Sequence, residues 1–200
     1  MKVYDKDIRK VLYKKFLETK EFIEDSSTLV VDEFGLCRGL SRADIAVING
    51  KIHGYEIKSE QDTLERLPMQ VKYYNKVFDK VTIVTGEKYA DKVSDIVPDW
   101  WGIYYVINKK DNLVLKKKRN AKLNKDTSTV DLLQLLWKNE LIELLSLYGI
   151  TKGVKSKNIN TLSKIAAENI NKKDIKFYVK EQLKNREDWR ATKLENLPIF

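Results

Sequence analysis

Two acidic residues and a lysine stand at spacings that could bring their side chains together on neighbouring strands. Asp44 is followed, after eleven residues, by Glu56 and then by Lys58. Side chains two positions apart on a strand point to the same face, so Glu56 and Lys58 project together. Between them and Asp44 lies Asn49-Gly50, a strong hairpin signal that places the two runs side by side. The pattern therefore predicts two carboxylates and one amine converging at one point of a sheet.

This combination of groups is suited to phosphate chemistry. Carboxylate oxygens, here those of Asp44 and Glu56, are the ligands that Mg²⁺ prefers, and a bound metal can polarise a phosphate and activate a water molecule. Lys58 could orient or deprotonate the attacking water. The alternative is a cross-strand salt bridge on an exposed sheet face, which contributes little stability.

The convergence depends on the register of the hairpin. A strict two-residue turn would pair Asp44 with Tyr55 and would place Glu56 on the opposite face. A register shifted by one residue restores the convergence. We therefore expect a longer loop, or a bulge at Gly50 or Gly54, since glycine tolerates the backbone conformation that a bulge requires.

The surrounding elements are predicted from hydrophobic periodicity. Apolar residues at three- and four-residue spacing indicate a helix at 5–24, and short β-branched runs indicate strands. The predicted order is a helix at 5–24, strands at 29–34, 43–48 and 51–58, a helix at 68–78, a strand at 81–85, a helix at 89–97 and a strand at 102–107, with a further strand at 113–116. This order predicts an α/β fold with a central mixed sheet flanked by helices.

The composition changes after the basic run that ends at Arg119. Residues 119–129 are polar and are predicted to form a linker. Apolar spacing then predicts helices at 130–148, 161–169 and 174–185. The expected organisation is a core at 1–118, the linker, and a helical region at 130–200.

The residues around Asp44 resemble the PD-(D/E)xK nuclease superfamily, whose signature is an acidic residue, a variable spacer and (D/E)xK on adjacent strands. Glu56–Lys58 supplies the second part, and Ala43 stands where the signature has proline. Gln70 and Tyr74 match the QxxxY element of RecB-like members. The element order over 1–118 is similar to the αβββαβ restriction-endonuclease-like core. Within the superfamily the local motifs resemble a group of poorly characterised bacterial and phage proteins.

The resemblance implies a nuclease that hydrolyses phosphodiester bonds of DNA with Mg²⁺ or Mn²⁺ and a metal-activated water. The implied residues are Asp44, Glu56 and Lys58 for catalysis; Asp44, Glu56 and the backbone carbonyl of Ile57 for metal binding, with Glu33 favoured over Glu18 as a further ligand; and Gln70, Tyr74 and Arg42 for substrate binding. Glu33 and Glu18 could equally be solvated surface acids, and Gln70 and Tyr74 a polar helix edge and a packed ring.

Two alternatives to an active nuclease remain at this stage. The first is a catalytically inactive, nuclease-like module that binds nucleic acid or protein in repair, phage defence or counter-defence. The second is a dimeric junction resolvase or restriction-like endonuclease, which implies a homodimer. Retained metal binding and cleavage, and the assembly state, would separate these alternatives.

The charge and composition of the chain limit the kinds of partner that we expect. The chain has a net charge of +9, and residues 119–200 hold 16 basic and 10 acidic side chains. A basic excess favours a polyanionic partner such as DNA, although a charge run is usually a solvated face. No apolar run reaches the length of a signal peptide or a membrane span, so we expect a cytoplasmic protein without a membrane partner. With Cys37 as its single cysteine, the chain cannot form an internal disulfide.

Overall fold

The computed structural model describes residues 3–110, 112–187 and 189–198. Its strands are β1 (Leu29–Leu36), β2 (Ser41–Ile48), β3 (Ile52–Lys58), β4 (Lys80–Gly86), β5 (Gly102–Lys109), β6 (Asn112–Arg119) and β7 (Ala191–Lys193). Its helices are α1 (Asp5–Leu17), α2 (Lys20–Ile23), α3 (Leu67–Val77), α4 (Thr129–Leu133), α5 (Lys138–Leu147), α6 (Ile159–Asn169) and α7 (Lys172–Asn185).

The strands of the described residues form one seven-stranded sheet in the order β6-β5-β4-β3-β2-β1-β7. β1, β2 and β3 are antiparallel neighbours, whereas β3, β4 and β5 run parallel. The antiparallel strands β6 and β7 close the two edges. The predicted α/β fold with a mixed sheet flanked by helices is confirmed.

The two faces of the sheet pack against different helices. On one face, apolar side chains such as Val47 and Ile57 form a core with α1 and α2. On the other face, residues such as Ala46 and Ile52 form a larger core with α3 and the C-terminal helices. Because side chains alternate along a strand, Glu56 shares the face of Ile52, so it points towards α3.

The hairpin between β2 and β3 has a three-residue loop. Ile48 pairs with Ile52, which leaves Asn49–Lys51 outside the ladder. The loop is closed by a hydrogen bond of 3.0 Å from the Asn49 N–H to the Lys51 carbonyl, and the Lys51 N–H donates to Asn49 Oδ1 at 3.0 Å. The predicted longer loop is therefore present, and it sets the register that points both predicted carboxylates to the same face.

Three predicted helices differ from the structure. The helix at 5–24 is interrupted at Thr19, whose backbone is extended. Residues 89–97 form 3-10 turns, closed by i to i+3 hydrogen bonds such as Ser94 N–H to the Asp91 carbonyl at 2.9 Å, instead of an α-helix. The helix at 130–148 is split into α4 and α5, because Trp137 is extended and donates its N–H to Glu140 Oε2 at 2.6 Å, which caps α5.

The C-terminal region is integrated with the sheet. β7 pairs with β1, so the region predicted to be helical also supplies an edge strand. Side chains from α4 to α7, including Leu141 and Val179, belong to the same core as α3. In the predicted linker, the Asn124 side chain donates to the carbonyls of Asn75 and Phe78 at 2.7 and 3.0 Å. Across the described residues, no helix combines the length and apolar character needed to cross a membrane.

Candidate functional site

Glu56 is the centre of a buried hydrogen-bond network between β3 and α3. Its Oε1 accepts from Lys58 Nζ at 2.7 Å and from Gln70 Nε2 at 2.5 Å, and its Oε2 accepts from the Tyr74 hydroxyl. Glu56 is only 1% exposed, and Tyr74 is fully buried. Burial of a carboxylate is costly unless donors compensate it, and three donors do so here. The structure thus brings together four of the predicted site residues.

Asp44 faces the same network but is less well compensated. Its Oδ2 accepts the backbone N–H of Ile57 at 2.6 Å. Burial, followed by the repulsion of the Glu56 carboxylate, raises the pKa of Asp44 from 3.8 to about 7. The N–H of Ile57 and the charge of Lys58 oppose this rise only in part. Asp44 therefore takes up a proton at a higher pH than an exposed aspartate does.

Asp44, Glu56, Ile57 and Lys58 line an open space of about 530 Å³, which we call the carboxylate cleft. Its further lining residues, which the sequence patterns did not indicate, include Asp5 at the start of α1 and Asp62 and Arg66 before α3. Asp5 is remote in sequence from the β2–β3 hairpin, and the packing of α1 onto the sheet brings it there. Asp62 and Arg66 lie in the short segment between β3 and α3.

Glu33 and Glu18 do not line the carboxylate cleft. Glu33 has a φ of 55°, a left-handed conformation that interrupts the pairing of β1 with β2. Its carboxylate forms an ion pair with Arg42, with Nε and Oε2 2.7 Å apart, and lies 3.5 Å from Arg9 Nη2. Glu18 is an exposed residue at the C-terminal end of α1. Arg42, predicted as a phosphate contact, lines the cleft and is paired with Glu33.

Arg9 links α1 to the strands that carry these residues. Its Nη1 donates to Asp32 Oδ1 at 2.6 Å and to the backbone carbonyl of Asp44 at 3.0 Å. Asp32 also accepts the hydroxyl hydrogen bond of Tyr13, at 2.6 Å. Sequence reasoning missed Arg9, because an arginine on an amphipathic helix gives no sign of its partners on another element.

The cleft does not fit the predicted Mg²⁺ or Mn²⁺. Among the described residues, no group of three or more His, Cys, Asp or Glu side chains could hold a metal ion. Both oxygens of Glu56 already accept hydrogen bonds from Lys58, Gln70 and Tyr74. A metal at Glu56 would have to displace these donors. Asp44 by itself does not supply the oxygen ligands that such an ion requires.

A second groove adjoins the carboxylate cleft. It encloses about 390 Å³, and we call it the arginine–tryptophan groove. Its lining includes Arg38 after β1, Trp137 before α5, and Arg186, Trp189 and Arg190 after α7. Gly35 and Gly39 line both spaces, so the cleft and the groove meet at these two glycines.

Three arginines around the joined spaces have no acidic partner among the residues that the structure describes. Arg38, Arg66 and Arg190 are exposed. Within the described ranges, no carboxylate oxygen lies within 4.0 Å of their guanidinium nitrogens. Arg186 differs, because its Nη2 lies 2.6 Å from Glu140 Oε2 in a buried ion pair. The three exposed guanidinium groups are therefore available to an anion from outside the protein.

Comparison with known proteins identifies a different family from the predicted one. The model of a family described as bacteriophage P4 protein cII matches residues 3–197. Protein cII of Enterobacteria phage P4 is 28% identical over 177 residues, which cover 88% of this chain. The chain spans 66% of the length of that relative. No solved structure matches.

These findings correct the interpretation of the Asp44, Glu56 and Lys58 pattern. The family match indicates no nuclease, so the predicted PD-(D/E)xK membership and the predicted Mg²⁺-dependent phosphodiesterase activity are wrong, and the resolvase alternative falls with them. A pattern of a few common polar residues on adjacent strands also arises in a structural network, as it does around the saturated Glu56. With its match over residues 3–197, the chain belongs to the bacteriophage P4 protein cII family.

Proposed function

We propose that this chain binds DNA, and that the joined carboxylate cleft and arginine–tryptophan groove form its contact surface. The observation that carries the proposal is the set of three exposed arginines, Arg38, Arg66 and Arg190, that line these spaces and have no acidic partner in the described part of the chain. A guanidinium group presents paired N–H donors that match the oxygens of a phosphate.

Several of the acidic residues nearby have partners inside the protein. Asp32 and Glu33 in the groove are paired with Arg9, and Glu33 also with Arg42. In the cleft, both oxygens of Glu56 accept hydrogen bonds from protein donors. These internal partners offset part of the negative charge around the two spaces.

The overall charge supports the same partner. A net charge of +9 attracts a polyanion over long distances and accelerates its association. Duplex DNA then gains affinity through release of the counterions that each bound phosphate had condensed. Binding through arginines therefore predicts an affinity that decreases steeply with salt concentration.

The experiment is a fluorescence anisotropy titration of labelled DNA, repeated over a series of salt concentrations. The variant combines Arg38→Ala, Arg66→Ala and Arg190→Ala. If each arginine binds one phosphate, the slope of log K against log salt should become shallower by about 2 to 3. Affinity at the lowest salt should also fall in the variant.

The matched control removes three positive charges from the opposite edge of the sheet. Lys109, Lys116 and Lys117 are exposed on β5 and the edge strand β6, whereas Arg38 follows β1 near the opposite edge. Their combined replacement by alanine should leave most of the slope unchanged. An equal loss in both variants would show general charge attraction and would rule out the groove as the contact surface.

A further inference from the structure

We infer that the arginine–tryptophan groove holds an unpaired base of single-stranded DNA, with the ring of Trp137 as its stacking surface. This inference rests on the proposed DNA binding and specifies which form of DNA is bound. It is carried by the exposure and rigidity of Trp137, by a second tryptophan in the lining of the same groove, and by the two exposed arginines that flank these rings in that lining.

Trp137 is exposed and yet held in place. The residue is 49% exposed, although tryptophan is among the side chains that gain most from burial. The guanidinium carbon of Arg186 lies 4.2 Å from the centre of its ring. Arg186 is itself fixed by Glu140, through bonds of 3.0 and 2.6 Å, and by the carbonyl of Leu135 at 3.2 Å. The ring is therefore positioned before a ligand arrives, so stacking costs little conformational entropy.

Trp189 provides a second aromatic ring and an unsatisfied donor. Its ring lies 5.1 Å from the guanidinium carbon of Arg186 and packs at 6.3 Å against Phe34. Its indole N–H is buried and has no hydrogen-bond partner among the described residues. Buried polar groups in folded proteins are nearly always paired.

The groove and the carboxylate cleft share Gly35 and Gly39 in their lining. Arg38 and Arg190 also line the groove, where they can bind the phosphates on either side of a base. The enclosed volume of about 390 Å³ lies within the range of small-ligand pockets, roughly 300–1,000 Å³.

The geometry favours an unpaired strand over a duplex. In a duplex the faces of the bases are stacked on one another, so an aromatic ring can reach them only after they are unstacked. A single strand offers these faces freely, and stacking on an aromatic side chain tolerates any base. We therefore expect tighter binding of an oligothymidylate than of a duplex of equal length.

The first test compares Trp137→Ala with Phe177→Ala. Phe177 is an aromatic residue that is 66% exposed on α7 and does not line the groove, so it controls for the loss of an exposed ring. Trp137→Ala should weaken oligothymidylate binding roughly 5- to 140-fold, the range for loss of one stacked base, and should change duplex binding little. Phe177→Ala should bind both ligands like the wild type.

A second variant guards against a folding defect in Trp137→Ala. Trp137→Leu keeps an apolar side chain beside the Arg186 guanidinium but removes the ring on which a base would stack. Its circular dichroism and unfolding midpoint should match the wild type, while its affinity for oligothymidylate falls. If Trp137→Ala does not fold, Trp137→Leu decides the question.

The outcomes separate this inference from the proposed function. If the wild type binds neither oligothymidylate nor duplex, the DNA-binding proposal fails and this inference fails with it. If the wild type binds DNA but Trp137→Ala and Trp137→Leu bind like Phe177→Ala, the stacking site is refuted and DNA binding stands. The stacking site is also refuted if the wild type binds oligothymidylate and duplex with equal affinity and Trp137→Ala changes neither affinity.

Discussion

Replacement of Asp44 by asparagine should change how the stability of the fold depends on pH. The carboxyl group of Asp44 is buried beside Glu56, which raises its pKa from 3.8 to about 7. Between these two values the folded protein holds a proton that the unfolded chain has released. Stability contributed by this group is therefore present at low pH and is lost as the pH rises from about 4 to 7.

The magnitude follows from the width of that interval. Each pH unit over which the folded state holds one extra proton corresponds to about 1.4 kcal/mol, so the full effect approaches about 4 kcal/mol. Asparagine cannot ionise, and its carbonyl oxygen can still accept the N–H of Ile57. Relative to the wild type, Asp44→Asn should therefore gain up to about 4 kcal/mol in free energy of unfolding between pH 4 and pH 8.

A second buried group, His53, also makes stability depend on pH. The quantity to compare is therefore the difference in free energy of unfolding between the wild type and Asp44→Asn. Burial lowers the pKa of His53, which donates to or accepts from Thr82 Oγ1 at 2.9 Å, from 6.5 to about 3. Its contribution to stability rises with pH over nearly the same interval, because the unfolded chain binds the extra proton. The two effects oppose each other in the wild type, but His53 contributes equally to both proteins and cancels in the difference.

The assay is urea unfolding, followed by tryptophan fluorescence, of the wild type and Asp44→Asn at a series of pH values. Asp95→Asn, which removes an exposed carboxylate, is the control and should show a difference that does not vary with pH. A difference between Asp44→Asn and the wild type that stays constant from pH 4 to pH 8 would refute the reasoning, because Asp44 would then titrate alike in the folded and unfolded states.

Two further predictions concern buried contacts and can be checked by the same unfolding measurement. Arg186→Met should lower the free energy of unfolding by about 3–5 kcal/mol, because it leaves the Glu140 side chain, 7% exposed, without its partner. Adding Glu140→Gln should recover much of this loss, and no recovery would contradict the ion-pair argument. Gly54→Ala should lower the free energy of unfolding by about 1–3 kcal/mol, because the new Cβ would lie 2.6 Å from the Phe78 ring. Phe78→Leu in that background should restore part of the stability, and a Gly54→Ala variant as stable as the wild type would contradict the close approach.

Local sequence patterns predicted much of the fold. Alternating β-branched residues and the Asn49-Gly50 pair identified β2 and β3, and periodic apolar residues located most of α1, α3, α6 and α7. These predictions succeed because alternation along a strand and the helical repeat are properties of neighbouring residues. The boundaries failed where a single side chain decides, as at Glu140, whose carboxylate caps α5 and separates it from α4.

The same patterns predicted the residues of the polar network but not the contacts that its carboxylates make. Two-residue spacing put Glu56 and Lys58 on one face, and four-residue spacing put Gln70 and Tyr74 on one face of α3. Whether a carboxylate is open to a metal or closed by donors depends on the distance between strand and helix, and spacing within one element does not fix that distance. The nuclease prediction is wrong because of the family match over residues 3–197.

The sequence by itself therefore determined the α/β class, the hairpin and the faces on which the polar residues stand. Only the tertiary structure decided which distant segments meet: Arg9 with Asp32, and Arg38 with Trp137 and Arg190 around one groove. Contacts of this kind depend on how helices pack across both faces of the sheet. Because that packing is a cooperative result of the whole core, no local pattern of residues specifies it.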